Sequence, residues 1–191
     1  FLIANENTLK NLLLDKKIEK KQILPINLLP QFLDNFKGKN FIIDNKTCSI
    51  FYEKIIKSKF NILEFDDPVY ELKSVKSSSE IKHMIETHKK DGLALTRFIY
   101  WIKNVNKKKI TEVYAQNKLE KFRKLNKDYL FPSFDTIAGA GSNGAIVHYR
   151  ANKKTTKKIK QNDILLVDSG GQYHYGTTDV TRTISFSKQN K

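Results

Sequence analysis

The sequence predicts two fold classes in succession, an α/β segment followed by an α+β segment, within 191 residues. In residues 1–65, short apolar runs of strand type alternate with apolar residues at helical spacing, an order that gives a parallel or mixed sheet covered by helices. In residues 76–187, two long helical patterns precede short strands joined by turns, which is typical of α+β folds. With 39% apolar and 29% charged residues, the composition suits one large or two small globular domains.

The α/β segment contains three strand candidates, at residues 1–4, 41–43 and 60–65. Two helices are expected between them, because apolar side chains recur there at three- and four-residue spacing. These helices cover residues 28–36, where Gly38 supplies the stop, and residues 50–56.

The sequence Asp66-Asp67-Pro68 interrupts this alternation. Proline disfavours helical backbone in the residue before it and ends the preceding element. We therefore predict a domain boundary here, with domains at residues 1–66 and 67–191.

The α+β segment begins with a helix signal. Ser77 and Glu80 form a capping box for a helix over about 78–103. Its apolar stripe is Ile81, Met84, Ile85, His88, Leu95, Phe98, Ile99 and Ile102. Thr111 caps a second amphipathic helix that continues to Leu125, after which Pro132 and several glycines mark turns between strands.

The net charge of +15 does not by itself predict a nucleic-acid-binding protein. Only four of the 35 basic residues are Arg, the side chain that sequence-reading proteins favour. The densest basic run, residues 150–160, contains no aromatic platform for stacking bases and has the character of a loop. A solvated Lys-rich surface is the expectation, and no apolar stretch approaches the roughly 18 residues of a membrane span.

Cys48 is the only cysteine, which excludes an intrachain disulfide and fits a reducing, cytoplasmic compartment. The chain begins without Met and without the features of a signal peptide. It is therefore expected to be a piece of a longer protein.

The segment 164–183 contains the most informative pair of side chains. A buried apolar strand ends at Asp168, and the chain returns with Asp179. If the turn centres on His174 and Tyr175, Asp168 lies opposite Thr181, and Asp179 is its diagonal neighbour on the same face, at about 7–8 Å. Two such carboxylates repel each other unless cations lie between them, and a pair of divalent metals would fit. Alternatively, Asp-Ser-Gly-Gly is only a turn signal and Asp179 a surface residue; spacing alone does not decide.

Two stretches of this hairpin, LVDSGGQY at 166–173 and GTTDVTRT at 176–183, resemble the metal-binding hairpin of aminopeptidase P. The resemblance extends upstream to GAIVHY at 144–149, to Thr111-Glu112 and to PVYELKSVK at 68–76, and covers nearly all of residues 68–187. Residues 1–66 more loosely resemble the end of the creatinase-N-like, non-catalytic α/β domain that precedes the catalytic domain in three-domain members.

The resemblance implies the first half of a pita-bread metallopeptidase domain that removes an N-terminal residue when proline follows it. Its substrates would be peptides with proline at the second position, and its cofactors two divalent metal ions, usually Mn²⁺. Asp168 and Asp179 match the first two of five protein ligands, and His148 matches a catalytic histidine that hydrogen-bonds substrate and helps to move protons.

The other ligands of the family pattern, one His and two Glu, are expected beyond Lys191. The chain alone is therefore expected to be inactive. For the parent protein the resemblance leaves a homodimer open, and it implies no nucleic-acid or membrane partner.

Three other functions stay open at this point. A sibling peptidase, either a prolidase or a methionine aminopeptidase, has a similar Asp pair. Pita-bread relatives without metals serve as protein-binding modules, including histone chaperones, although retention of Asp168, Asp179 and His148 argues against that class. A nucleic-acid binder driven by charge is the least favoured.

Overall fold

The computed structural model describes residues 2–106 and 110–188, so Phe1 of the first strand candidate lies outside the described residues. The chain forms two compact units, residues 1–75 (the N-terminal unit) and 76–191 (the C-terminal unit). This division falls later than the predicted boundary at 66/67, because the helix that begins at Pro68 belongs to the N-terminal unit.

Among its described residues, the N-terminal unit contains four short strands and four α-helices, besides short 3₁₀ turns. In chain order these are β1 (Leu2–Ile3), α1 (Lys10–Leu14), β2 (Ile23–Leu24), α2 (Leu29–Asp34), β3 (Asn40–Ile43), α3 (Ile50–Lys57), β4 (Asn61–Glu64) and α4 (Pro68–Ser74). Strands β1 and β2 form one parallel pair and β3 and β4 another. The parallel pairing and the order β3-α3-β4 are confirmed, whereas α1, β2 and α4 were not predicted. The core consists of Leu33, Ile43 and Ile56.

The predicted interruption is present, since residues 65–67 form neither helix nor strand, and helix α4 then begins at Pro68. The Asp67 side chain caps it by accepting a hydrogen bond from the Val69 amide at 2.9 Å. Proline is well suited to the first helical position, where its missing N–H would have no intrahelical partner. The sequence Asp67-Pro68 is therefore a helix start.

The C-terminal unit begins with two helices, α5 (Ser78–Asn104) and α6 (Glu112–Arg123). Both predicted N-caps are confirmed: the Ser77 and Thr111 side chains accept hydrogen bonds from the amides of Glu80 and Tyr114. Within residues 2–106 and 110–188, no helix combines the length and the apolar character needed to cross a membrane.

In the part of this unit that the structure describes, six strands follow the helices and form two sheets. They are β5 (Tyr129–Pro132), β6 (Ile137–Ala140), β7 (Ile164–Ser169), β8 (Gly171–Tyr173), β9 (Gly176–Thr177) and β10 (Val180–Ser185). One sheet has the order β10-β7-β6 and the other β5-β8-β9, and every pair is antiparallel.

The β10-β7-β6 sheet has a helix face and an outer face. Leu165 and Val167 of β7 are buried with residues of α5 and α6 in the main core. Because side chains alternate along a strand, Leu166 and Asp168 lie on the opposite side, which we call the outer face, together with Thr181 and Thr183. This alternation places Asp168 away from the helices.

The apolar stripe predicted for α5 is only half buried. Leu95, Phe98 and Ile102 belong to the main core, whereas Ile81, Met84 and Ile85 in the first half of the helix are exposed. The main core therefore extends along only the second half of α5.

The two faces of β7 predict different responses to truncation. Leu165→Ala should lower the free energy of unfolding by about 2–5 kcal/mol, since it leaves a cavity at a side chain with 0% exposure. Leu166→Ala, its neighbour on the outer face, should cost clearly less. Urea unfolding of both variants tests this, and equal losses would contradict the face assignment.

Candidate metal centre

The hairpin that carries the two aspartates has the predicted turn and register. Tyr173 pairs with Gly176, so His174 and Tyr175 form the turn. Further along, Thr181 pairs with Asp168. Asp179 is exposed and immediately precedes β10, two residues from Thr181.

Asp168 is half-buried on the outer face of the sheet. The Thr181 hydroxyl donates a hydrogen bond of 2.7 Å to the Asp168 Oδ1 atom. This contact joins the two strands of the hairpin at the position of the first predicted ligand.

Gly170 allows the two arms of the hairpin to approach closely. A side-chain carbon built on Gly170 would lie 1.9 Å from the Thr178 carbonyl oxygen, too close for any other residue. In the space that glycine leaves, the Ser133 hydroxyl donates to that carbonyl at 2.8 Å, and the Ser133 amide donates to the Gly170 carbonyl at 3.2 Å. Gly170 is thus required by the packing of the two arms as well as by the turn.

A buried ion pair lies on the helix side of the hairpin. Arg123 at the end of α6 donates through Nε to Asp91 Oδ1 of α5 at 2.7 Å and through Nη2 to Asp91 Oδ2 at 3.2 Å. The same Nη2 donates to the Ser169 hydroxyl at 3.1 Å. Arg123 and Ser169 are fully buried, so these bonds are shielded from water.

A further hairpin side chain joins Asp91. The Tyr173 hydroxyl donates to Asp91 Oδ1 at 2.7 Å. Burial raises the pKa of Asp91. The hydrogen bonds and the positive charge of Arg123, together with the hydrogen bond from Tyr173, outweigh the effect of burial and hold the pKa below its ordinary value of 3.8. Burial and the Asp91 contact raise the pKa of Tyr173. Asp91 is therefore an anion in the folded protein at neutral pH.

His148 lies in a turn on the surface of the C-terminal unit, with left-handed backbone at φ +53°. The 3₁₀ helix Gly141–Ala145 precedes it. This helix packs on the outer face, because a side-chain carbon built on Gly144 would lie 3.6 Å from the Leu166 Cβ atom. The segment leading to His148 therefore covers the same face of the sheet as Asp168.

Glu112, the first residue of α6, is buried and holds this segment in place through hydrogen bonds. Its fully buried carboxylate accepts hydrogen bonds from the Asn143 side chain at 2.9 Å, from the Tyr149 hydroxyl at 2.9 Å, and from the backbone amides of Ala140 and Lys157 at 2.8 Å each. In the sequence Glu112 stands out only within the resemblance at Thr111-Glu112, because no local pattern indicates hydrogen-bond partners this far along the chain.

The remaining histidines are placed apart from this arrangement. The His83 ring lies against Tyr175 with centroids 4.9 Å apart, and a ring nitrogen of His88 contacts the Met84 carbonyl within α5. His174 is an exposed turn residue. The basic run is largely exposed, although Arg150 pairs with Asp135 and the Lys157 ammonium donates to the Ser142 hydroxyl.

The donors at the hairpin match part of a metal site. Carboxylate oxygens are hard ligands of the kind that Mn²⁺ and Mg²⁺ prefer. Among the described residues, however, no group of three or more His, Cys, Asp and Glu side chains is arranged to hold a metal ion. Asp168 and Asp179 thus fit a divalent cation by chemistry, but a dinuclear centre needs further donors.

Comparison with known proteins identifies the class to which this fold and hairpin belong. The model of metallopeptidase family M24 matches residues 82–191. The chain belongs to this family.

Individual relatives narrow the similarity to proteins that act at proline. The chain is 40% identical over 144 residues to the Xaa-Pro aminopeptidase ApepP of Drosophila melanogaster, a match that covers 74% of this chain and 23% of the relative. It spans about a quarter of the length of the curated relatives it matches.

Solved structures of the same group share the fold. The X-prolyl aminopeptidase of Caenorhabditis elegans, described as a cytosolic enzyme with a di-nuclear active site, matches with a TM-score of 0.75 at 26% identity over 88% of this chain and 29% of that one. The prolidase of Pyrococcus horikoshii matches with a TM-score of 0.70 at 25% identity over 88% and 47% of the two chains. The mixed α/β and pita-bread expectation is confirmed.

The left-handed backbone at His148 predicts an unusual response to glycine. His148→Gly should leave the free energy of unfolding unchanged or raise it by up to about 1 kcal/mol, because glycine adopts positive φ without steric cost. His148→Val should lower it by about 1–2 kcal/mol. Val147→Gly is the matched control and should be destabilising. Urea unfolding measures all three, and a large loss in His148→Gly would contradict the expectation.

The Asp91–Arg123 pair predicts an acid-sensitive contribution to stability. The folded-state pKa of Asp91 is lowered, so its contribution is present above 3.8 and is lost as the pH falls through the folded-state pKa. Asp91→Asn should cost about 3–5 kcal/mol at pH 6, since it leaves Arg123 buried without its counter-ion. Urea unfolding at several pH values should show the difference from wild type narrowing below pH 4; a constant difference would contradict this.

Proposed function

We propose that this chain provides the first half of the catalytic domain of an Xaa-Pro aminopeptidase, which hydrolyses the bond between an N-terminal residue and a following proline. In this proposal residues 67–191 belong to the pita-bread domain, and residues 1–66 form the end of a non-catalytic α/β domain. The substrates are peptides with proline at the second position. The similarity to the Drosophila and C. elegans proteins supports this substrate class.

The observation that carries the proposal is the pairing of Thr181 with Asp168. This register puts Asp168 on the outer face. Asp179 lies two residues before Thr181, and side chains two residues apart in extended chain point to the same face. We assign these two carboxylates as metal ligands. The proposed cofactors are two divalent ions, with Mn²⁺ as the preferred identity because it accepts oxygen and imidazole donors.

Each candidate residue has a distinct role in this proposal. When bound, the metal ions would supply Lewis-acid activation of water and of the carbonyl before proline. Asp168 and Asp179 hold and orient their share of that centre, and the Thr181 hydrogen bond fixes the Asp168 carboxylate. His148 binds the substrate through a ring nitrogen and carries a proton during the reaction.

The proposed cellular setting rests on the cysteine content and on one structural relative. We propose a cytoplasmic enzyme, because the chain has one cysteine and its C. elegans structural relative is described as cytosolic. The proposal includes no nucleic-acid or membrane partner. It is compatible with a homodimer of the parent protein.

A prolidase is the second candidate, favoured by the similarity to the Pyrococcus enzyme. Prolidases act on dipeptides and aminopeptidase P enzymes on longer peptides. A comparison of Xaa-Pro dipeptides with Xaa-Pro tripeptides therefore separates the two candidates in a polypeptide in which this sequence is followed by the remainder of an M24 domain.

The proposal predicts activity in the joined polypeptide and none in the 191-residue chain. With excess Mn²⁺, the joined polypeptide should release the first residue of an Arg-Pro-Pro peptide, and Asp168→Asn should reduce release to background. The 191-residue chain should show no turnover, since its described residues offer no group of three metal ligands.

An Arg-Ala-Pro peptide controls for substrate specificity, and Thr183→Val controls for mutation of the outer face. If the 191-residue chain cleaves the peptide and Asp168→Asn abolishes that cleavage, the proposal that the metal site of this chain is incomplete is contradicted. Absence of cleavage by a folded, metal-loaded joined polypeptide would overturn the assignment.

A further inference from the structure

We propose that Glu112 is a positioning residue for His148: its buried carboxylate closes the segment of residues 143–149, which we call the His148 loop, by binding both of its ends. The inference rests on the proposed function for the role of His148 in catalysis. It adds Glu112, Asn143 and Tyr149 as residues that act on the reaction only through His148.

The two ends of the His148 loop are buried, and the residues between them are not. Asn143 and Tyr149 are 7% and 8% exposed, whereas Val147 is 82% exposed. The Asn143 side-chain amide donates to Glu112 Oε1 at 2.9 Å, and the Tyr149 hydroxyl donates to Glu112 Oε2 at 2.9 Å. Asn143 Nδ2 also donates to the Tyr149 hydroxyl oxygen at 2.7 Å, so the two ends are joined directly as well.

The carboxylate of Glu112 has a donor for each position at which it can accept a hydrogen bond. The backbone amides of Ala140 and Lys157 donate at 2.8 Å to Oε1 and Oε2, in addition to the donors from Asn143 and Tyr149. An ionised carboxylate has about four such positions and no donor of its own. Glutamine would turn an N–H group toward at least one of these donors, so the arrangement specifies a carboxylate.

Closure of the loop determines the backbone conformation of His148. The Ile146 amide donates to the Asn143 carbonyl and the Tyr149 amide to the Ile146 carbonyl, at 3.2 Å each, so two turns follow each other within the loop. His148 has φ +53°, a conformation that is strained for a residue with a side chain and persists only where its surroundings hold it. Because the next residue, Tyr149, reaches inward to Glu112, His148 is left exposed at the surface.

The closed loop is also fixed to the sheet that carries Asp168. A side-chain carbon built on Gly139 of β6 would lie 2.8 Å from the Gly144 Cα atom, so the loop packs directly on this strand. Strand β6 pairs with β7, the strand that contains Asp168. Glu112 therefore determines where His148 lies relative to Asp168, and not only the stability of the loop.

The test releases the ends of the loop and keeps Glu112 in place. The variant Asn143→Ala/Tyr149→Phe removes the two side-chain donors but leaves both backbone amides on the carboxylate. Tyr149→Phe alone is a milder second variant, which keeps the proposal testable if the double variant does not fold. Circular dichroism and urea unfolding establish which 191-residue variants are folded.

The matched control loses the same kinds of groups outside the loop. The Gln116 side-chain amide donates to the Thr136 carbonyl at 2.8 Å. The Tyr129 hydroxyl donates to the carboxylate of Glu120 at 2.6 Å. Gln116 and Glu120 belong to α6, as Glu112 does. Gln116→Ala/Tyr129→Phe, with Tyr129→Phe for the single variant, therefore reports the general effect of weakening contacts of this helix.

The first readout is the backbone of His148, measured by NMR of the metal-free 191-residue chain. In the wild type, His148 should show the strong nuclear Overhauser effect between its amide proton and Hα that accompanies positive φ, and an order parameter of about 0.85. Asn143→Ala/Tyr149→Phe should weaken that effect and lower the order parameter below about 0.6, the range of flexible backbone. The control should match the wild type, and helix α5 should be unchanged in both.

The second readout is turnover of the Arg-Pro-Pro peptide by the joined polypeptide. Asn143→Ala/Tyr149→Phe should lower kcat at least about tenfold, since a positioned acid–base group contributes about 10²–10⁴-fold. The same two substitutions in a His148→Asn background should cause less than about a twofold further loss, because they act through His148. A merely structural role would lower turnover in both backgrounds.

An unchanged order parameter and Overhauser effect at His148 in the folded variants would overturn the positioning role. A loss of kcat that persists in the His148→Asn background would overturn it as well. If the NMR changes occur but the wild-type joined polypeptide is folded, metal-loaded and inactive, the proposed function fails, whereas the control of His148 by Glu112 stands.

Discussion

The C-terminal unit depends on one interaction, the buried ion pair between Asp91 and Arg123. Removing two charges from water is expensive, and a well-packed apolar pair would stabilise the fold at least as well. What the ion pair adds is direction: its bonds to Ser169 and Tyr173 hold the first arm of the hairpin against α5 and α6. The pair is therefore better explained by the geometry it imposes than by the stability it contributes.

A second buried carboxylate, Glu112, has the same relation to the segment around His148. Asp91 binds the Tyr173 hydroxyl of the hairpin, and Glu112 binds Asn143, Tyr149 and two backbone amides on either side of His148. Both carboxylates lie on helices, and both hold irregular backbone that carries candidate functional residues. The helices thus provide a rigid base, and buried anions transmit that rigidity to the loops.

Features that depend on neighbouring residues could be predicted from the sequence, whereas contacts between residues far apart in the chain could not. Caps at Ser77 and Thr111, strand alternation and a two-residue turn were enough to predict α5, α6 and the pairing of Asp168 with Thr181, because each depends on neighbouring residues. The contact of Tyr173 with Asp91 spans 82 residues, and no periodicity signals it. Helix α4 and the exposed first half of α5 were not predicted: a proline that ends one element can also start a helix, and an amphipathic stripe does not say how far its partner extends.

The charge balance of the ion pair also affects the electrostatic environment of Asp168 on the outer face. Arg123 reaches the residue next to Asp168, so an uncompensated guanidinium there would attract the Asp168 carboxylate and repel any divalent cation nearby. Asp91 removes that competition, because it forms two hydrogen bonds with Arg123 and remains ionised at neutral pH. Asp168 keeps only the neutral hydroxyl of Thr181 as its described hydrogen-bond partner. A carboxylate that is oriented but not neutralised retains its attraction for a metal ion, and the buried pair supplies both conditions at once.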